Sequence, residues 1–141
     1  MKKILILAAL ILLTSSNVFA QATTIITDTS AFVFAPSADH NSTFAGTPVL
    51  TNYSIEFFTK ANVSGGVPSG APVFNPIIGK PTPVSGEIVT AAIKTLAPLL
   101  PNVEYVWFVR ATGPGGSTRS GAGVPFGFPA APAAATGMSI R

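Results

Sequence analysis

The chain has 141 residues, a formal net charge of +3 and no cysteine. That length suits one domain around one hydrophobic core, and the missing cysteines exclude a disulfide framework. Charged residues make up 9% and hydrophobic residues 48%, where an ordinary soluble domain carries about 25% charge; disordered chains are poor in apolar residues, so disorder is excluded as well.

Residues 1–20 read as an address. Met1-Lys2-Lys3 is a short basic head, Ile4 to Leu13 is an apolar run, and Val18-Phe19-Ala20 fits a small-x-small cleavage pattern that places the cut between Ala20 and Gln21. This is the pattern of a secretory signal peptide of bacterial type, and the apolar run is short for an uncleaved membrane anchor. The chain is therefore expected outside the cell, secreted or at the cell surface, with no stable membrane insertion after cleavage. Without Lys2 and Lys3, six bases face five acids, a net charge of +1. The remaining bases are scattered, which argues against nucleic acid as a partner.

Beyond Gln21, thirteen prolines and thirteen glycines interrupt almost every helical window. The pattern predicts short strands at Thr24–Thr27, Ala31–Ala35, Tyr53–Lys60, Pro72–Ile78, Ile88–Leu96, Tyr105–Thr112 and within Ser117–Phe128. In "NYSIEFFTK", Tyr53, Ile55 and Phe57 share one face, and Ser54, Glu56 and Phe58 the other. The flanking prolines make Val73-Phe74 an edge strand. "GPGG", Gly113 to Gly116, reads as a hairpin turn. Residues 129–141, rich in Pro and Ala, read as a flexible tail or linker. The fold class expected is all-β.

Parts for chemistry are few. His40 is the one histidine, and Asp39, His40 and Ser42 are neighbours in a polar loop. Catalytic triads assemble across space with an oriented base, so a solvated loop is the reading here. The five acids are dispersed, with no paired carboxylates, and Asp39 with His40 falls short of a metal's ligand set. "GPGG" lacks the lysine and helix of a phosphate loop. No enzyme activity, cofactor or metal is expected. The sequons at Asn41, Asn52 and Asn62 read as coincidence in an exported bacterial chain.

The stretch "LLPNVEYVWFVRATGPGGSTRSG" resembles the E–F corner and F–G hairpin of fibronectin type III domains. Leu99, Pro101 and Tyr105 match the corner, and Trp107, Val109 and Ala111 match the inward positions of the following strand. "TNYSIEFF" resembles that family's C strand. "AFVFAP" resembles its B strand, with Phe34 where the family usually has Trp. The resemblance implies an immunoglobulin-like, seven-stranded β-sandwich over residues 21–128. A tyrosine at this corner can bury its ring and turn its hydroxyl to a backbone group just upstream.

The opposite face of the same strands is also apolar. Phe58, Val106, Phe108 and Arg110 are the candidate interaction face, since aromatic and Arg residues anchor interfaces. The alternative is that the 60–87 segment or the tail folds over it. The function expected is a non-catalytic interaction module for an extracellular protein or glycan. The alternative is a self-assembling extracellular subunit in which "QATTIITDTS" or the tail adds as a strand to another copy.

Overall fold

The computed structural model describes residues 21–134. The expected signal peptide, with its expected cleavage residue Ala20, lies outside the described residues, as does the end of the expected tail, 135–141.

The described chain is all-β, with twelve short strands, one α-helical turn and a 3-10 turn at Lys60–Asn62, where seven strands are expected. In order these are β1 (Thr24–Ile25), β2 (Ala31–Phe34), β3 (Thr43–Phe44), β4 (Thr47–Pro48), β5 (Asn52–Thr59), β6 (Val63–Ser64) and β7 (Val67–Pro68). There follow β8 (Ile77–Gly79), β9 (Ile88–Ala92), α1 (Ile93–Leu96), β10 (Tyr105–Gly113), β11 (Gly116–Arg119) and β12 (Phe126–Gly127). The main sheet runs β1-β12-β10-β5-β8, with β11 also on β10. β2 and β9 form a separate two-stranded ladder, and β3–β4 and β6–β7 are isolated hairpins.

β5 and β10 are the spine. They pair antiparallel without a slip from Tyr105 opposite Thr59 to Thr112 opposite Asn52. Because side chains alternate along each strand, this register puts Tyr53, Ile55 and Phe57 beside Ala111, Val109 and Trp107 on one face. The β2–β9 ladder covers that face. Phe32 stacks on Trp107 with ring centroids 4.2 Å apart, and Phe34 meets Tyr53 edge-on at 5.6 Å. Ile55, Phe57 and Ile88 in this core are completely buried.

The corner before β10 is closed by hydrogen bonds. Tyr105 is buried, and its hydroxyl accepts from the Leu100 N–H at 3.1 Å. Asn102 takes a left-handed φ of 60°, a conformation Asn tolerates better than most residues. Its N–H donates to Phe128 O at 2.8 Å and its Oδ1 accepts from Ala130 N–H at 3.1 Å. Leu99 packs against the core from a partly buried position, while Pro101 is exposed.

Two expectations change in detail. The predicted strand Ile88–Leu96 stops at Ala92, where the chain makes a single helical turn before Pro98. There the Ile93 N–H reaches Ser30 O at 2.7 Å and the Thr95 hydroxyl donates to Ala92 O at 2.7 Å. The predicted strand Pro72–Ile78 is split by its prolines into a bridge at Phe74 and the short β8, both on the edge of β5. "GPGG" is a hairpin turn, with Gly113 opposite Gly116.

Candidate binding site at the loop end

Between β2 and β5 the chain builds a hairpin that stands away from the core. Ala45 and Gly46 both have positive φ, 49° and 79°. Two such residues in a row make the tight turn that matches the twist of paired strands. The polar stretch before it is tied down from beneath. Tyr53 sends its hydroxyl up to accept the Ser37 N–H at 2.9 Å, and the same oxygen lies 2.9 Å from His40 Nδ1. His40 stacks on the Tyr53 ring and is only 6% exposed. The loop reading of Asp39-His40-Asn41-Ser42 is therefore corrected at His40. It is a buried strut, because a tyrosine hydroxyl satisfies one ring nitrogen and the tyrosine ring stacks against its face.

The hairpin's base sits against the β10–β11 turn. The Thr51 N–H donates to Thr112 O at 2.8 Å. A Cβ on Gly113 would stand 1.8 Å from Val49 O, so only glycine permits this approach. Between hairpin and turn lies an open cleft of about 620 Å³. Phe44, Thr47 and Pro48 line one side, Ser117 and Thr118 the other, and Asp39 lies at one end. Phe44 is 80% exposed, the most exposed large apolar side chain among the described residues. The cleft thus offers an aromatic surface, several hydroxyls, exposed backbone and one carboxylate. Such a set can hold a partner by stacking and hydrogen bonding, and the one imidazole nearby is occupied by Tyr53.

The candidate face on the other side of the spine is not open. Phe58, Val106 and Phe108 are 0%, 4% and 1% exposed. Phe58 and Phe108 meet edge-on at 5.5 Å, Val63 packs against them, and the Arg119 guanidinium lies over both rings at 5.4 and 5.7 Å. Expected as an outward interface, these three residues form a second small core closed by the chain itself. The 60–87 segment contributes through Val63, and β11 contributes Arg119.

Arg110, the fourth residue of that face, is half-buried and drawn into an ionic cluster. Its Nε donates to Glu56 at 2.7 Å, and Arg119 donates to both oxygens of the same carboxylate. The Glu56 side chain is 3% exposed. Burial alone would raise its pKa, but the hydrogen bonds and charges of Arg119 and Arg110 outweigh burial and hold the carboxyl below its ordinary range. Among the described residues no group of three or more His, Cys, Asp or Glu could hold a metal ion, and no helix is long and apolar enough to cross a membrane.

Sequence reasoning placed Tyr105, Trp107 and Val109 on the inner face, and the structure brings them together there. It missed Phe44 and the hairpin that carries it. The available signal was "TFAGTP", a Gly-containing turn between β-forming residues, hidden by an alanine in a position usually held by Asn or Asp. In comparison with known proteins, no family model matches this chain, and no curated protein or solved structure matches it.

Proposed function

We propose that this chain is a variant of the immunoglobulin-like, fibronectin type III sandwich that works outside the cell as a non-catalytic interaction module. β2, β9, β5, β8 and β10 take the parts of strands B, E, C, C′ and F, and the stretch from β11 to β12 takes the part of G. The Tyr105 hydroxyl on the Leu100 N–H supports this reading of the corner. A departure from the family pattern is β1, which pairs with β12 rather than β2.

The observation that carries the function is Phe44, 80% exposed on the rim of the cleft between the β3–β4 hairpin and the β10–β11 turn. An aromatic ring held in water on a braced hairpin is an anchor without a partner. The partner is an extracellular protein or glycan presenting a largely uncharged surface. The test is to offer the chain and its Phe44→Ala variant to a glycan array and to an array of extracellular proteins. The expected result is a set of ligands held by the native chain and released by the variant at unchanged melting temperature. Equal retention by both proteins, or retention by neither, overturns the reading.

A further inference from the structure

The two layers of the fold differ in width. The main sheet carries six strands, five of them side by side in one row, whereas the layer opposite has only β2 and β9. The Phe32 N–H faces β9, where Thr90 Oγ1 accepts it at 3.1 Å. Alternation along the strand then turns the N–H and C=O of Val33 to the other edge of β2. Nothing among the described residues pairs with that edge. β1 leads directly into β2 in sequence, but its backbone is committed to the main sheet, with Thr24 N–H on Pro125 O at 2.8 Å and Ile26 N–H on Gly127 O at 2.9 Å.

Beside the unpaired edge the core is left partly uncovered. Two clefts of about 390 and 320 Å³ lie between β2 and the stretch from β11 to β12. Phe34, Val109 and Ala111 line the first, Ile26, Phe32 and Val124 line the second, and Trp107 lines both. Together they form a largely apolar groove beside the unpaired Val33 backbone, with Ser37, Thr118 and Ser120 on its rim. Its one charged lining residue, Arg119, is already bound to Glu56.

Exposed sheet edges are normally guarded by prolines, charges or bulges. The β8 edge is guarded in this way, with Pro72, Pro76, Pro81 and Pro83 on its approaches. β2, Ala-Phe-Val-Phe, holds no charge and no proline within the strand; Pro36 follows two residues past its end, and the ladder to β9 shifts register between Ala31 and Val33.

We propose that the free edge of β2 and the groove beside it accept one extended strand from a separate partner polypeptide. The backbone edge demands a strand. The floor of Trp107, Val109 and Phe32 demands apolar side chains at alternate positions, and the absence of free charge demands a neutral segment. Among the described residues, neither β1 nor the start of the Pro/Ala-rich stretch is free to be lent to a second copy. β1 is bound to β12, and residues 129–134 contain Pro129 and Pro132. The proposal is independent of the loop-end cleft.

The test pans a display library of random eight-residue segments on the full chain. Selected segments are expected to be uncharged, with β-branched or aromatic residues at every second position. Trp107 is the only tryptophan, so a bound segment shifts the protein's emission to shorter wavelength, and it slows hydrogen exchange at Val33. Val33→Pro deletes an N–H that serves no internal bond and should weaken the selected segments at least tenfold, while Val33→Thr retains them. Charged or non-alternating segments, an empty selection, unchanged Trp107 emission, or equal binding to Val33→Pro each overturn the proposal. A dimer of the unliganded chain that Val33→Pro dissolves assigns the edge to a second copy and overturns it too. Should Val33→Pro fail to fold, exchange at Val33 and Trp107 emission in the native chain still decide.

Discussion

The N–H of Leu100 donates to the hydroxyl of Tyr105 across 3.1 Å, so a side chain five residues on closes the corner that launches β10. Replacing Tyr105 by Phe keeps the ring in the core and leaves this donor without its partner. The expected loss is about 1 kcal/mol, the scale of one unsatisfied hydrogen bond. Tyr53→Phe should cost more, about 2 kcal/mol, because its hydroxyl serves both Ser37 and His40. Urea unfolding of the two variants checks both the sizes and the order. Equal stability to the native chain for Tyr105→Phe removes the corner as a stabilising device.

Glu56 makes stability depend on pH in a definite direction. Its carboxyl titrates below the ordinary range when folded, held down by Arg119 and Arg110. The unfolded chain therefore binds more protons through this window. The contribution of Glu56 is complete above its unfolded pKa of about 4.3 and is lost as pH falls through the lower folded value. Glu56→Gln should flatten the acid side of the stability curve. At neutral pH it should cost about 2 kcal/mol, less than a fully buried pair because both arginines are nearly a third exposed. Melting temperatures from pH 7 to pH 3 test this, and parallel curves for the two proteins contradict it.

These features were not equally legible in the sequence. Tyr105 and Leu100 are five residues apart, and strict alternation through Tyr105, Trp107 and Val109 assigns a face to each. Local pattern therefore suffices for the corner and for the inner side of β5 and β10. The closing of Phe58 and Phe108 depends on Arg119, on the second arm of the β10–β11 hairpin, lying over rings from two different strands. Alternation says which side chains share a face but not what comes to cover it. His40 looked solvated because its neighbours are polar, and only the upward reach of Tyr53 buries it. Phe44 stayed hidden because its hairpin is two residues long on each side and turns through an alanine at φ 49°.

Gly113 should be a glycine of the β10–β11 turn that cannot be changed for lack of space, as Gly116 cannot be for its φ of 120°. An added Cβ meets the carbonyl oxygen of Val49 at 1.8 Å, and that backbone is tied to β10 through Thr51 and Thr112. Gly113→Ala is expected to cost about 1–3 kcal/mol through forced separation of the hairpin from the turn. Two residues on, a Cβ added at Gly115 would meet nothing within 4 Å. Gly115→Ala should therefore stay within about 0.5 kcal/mol of the native chain. Chemical denaturation of the pair measures the contrast, and equal effects would mean that hairpin and turn move independently.

Phe108 and Phe44 are both aromatic residues on strands, and a carboxylate separates their roles. Phe108 is 1% exposed, between Phe58 and the Arg119 guanidinium. Asp at this position removes the edge-on ring pair, opens a cavity and brings a second acid beside Glu56, which Arg119 already neutralises. Loss of the packed aromatic alone is worth about 3–5 kcal/mol, a large share of the stability of a domain of this size. Phe108→Asp should therefore unfold or come close to it, with Phe108→Leu recovering most of the loss. Phe44 is 80% exposed, so Phe44→Asp should change stability by no more than about 0.5 kcal/mol. Circular dichroism melts of the three variants give the answer. A folded Phe108→Asp protein would mean that the outer face opens readily and would return Val106 and Phe108 to the surface available to partners.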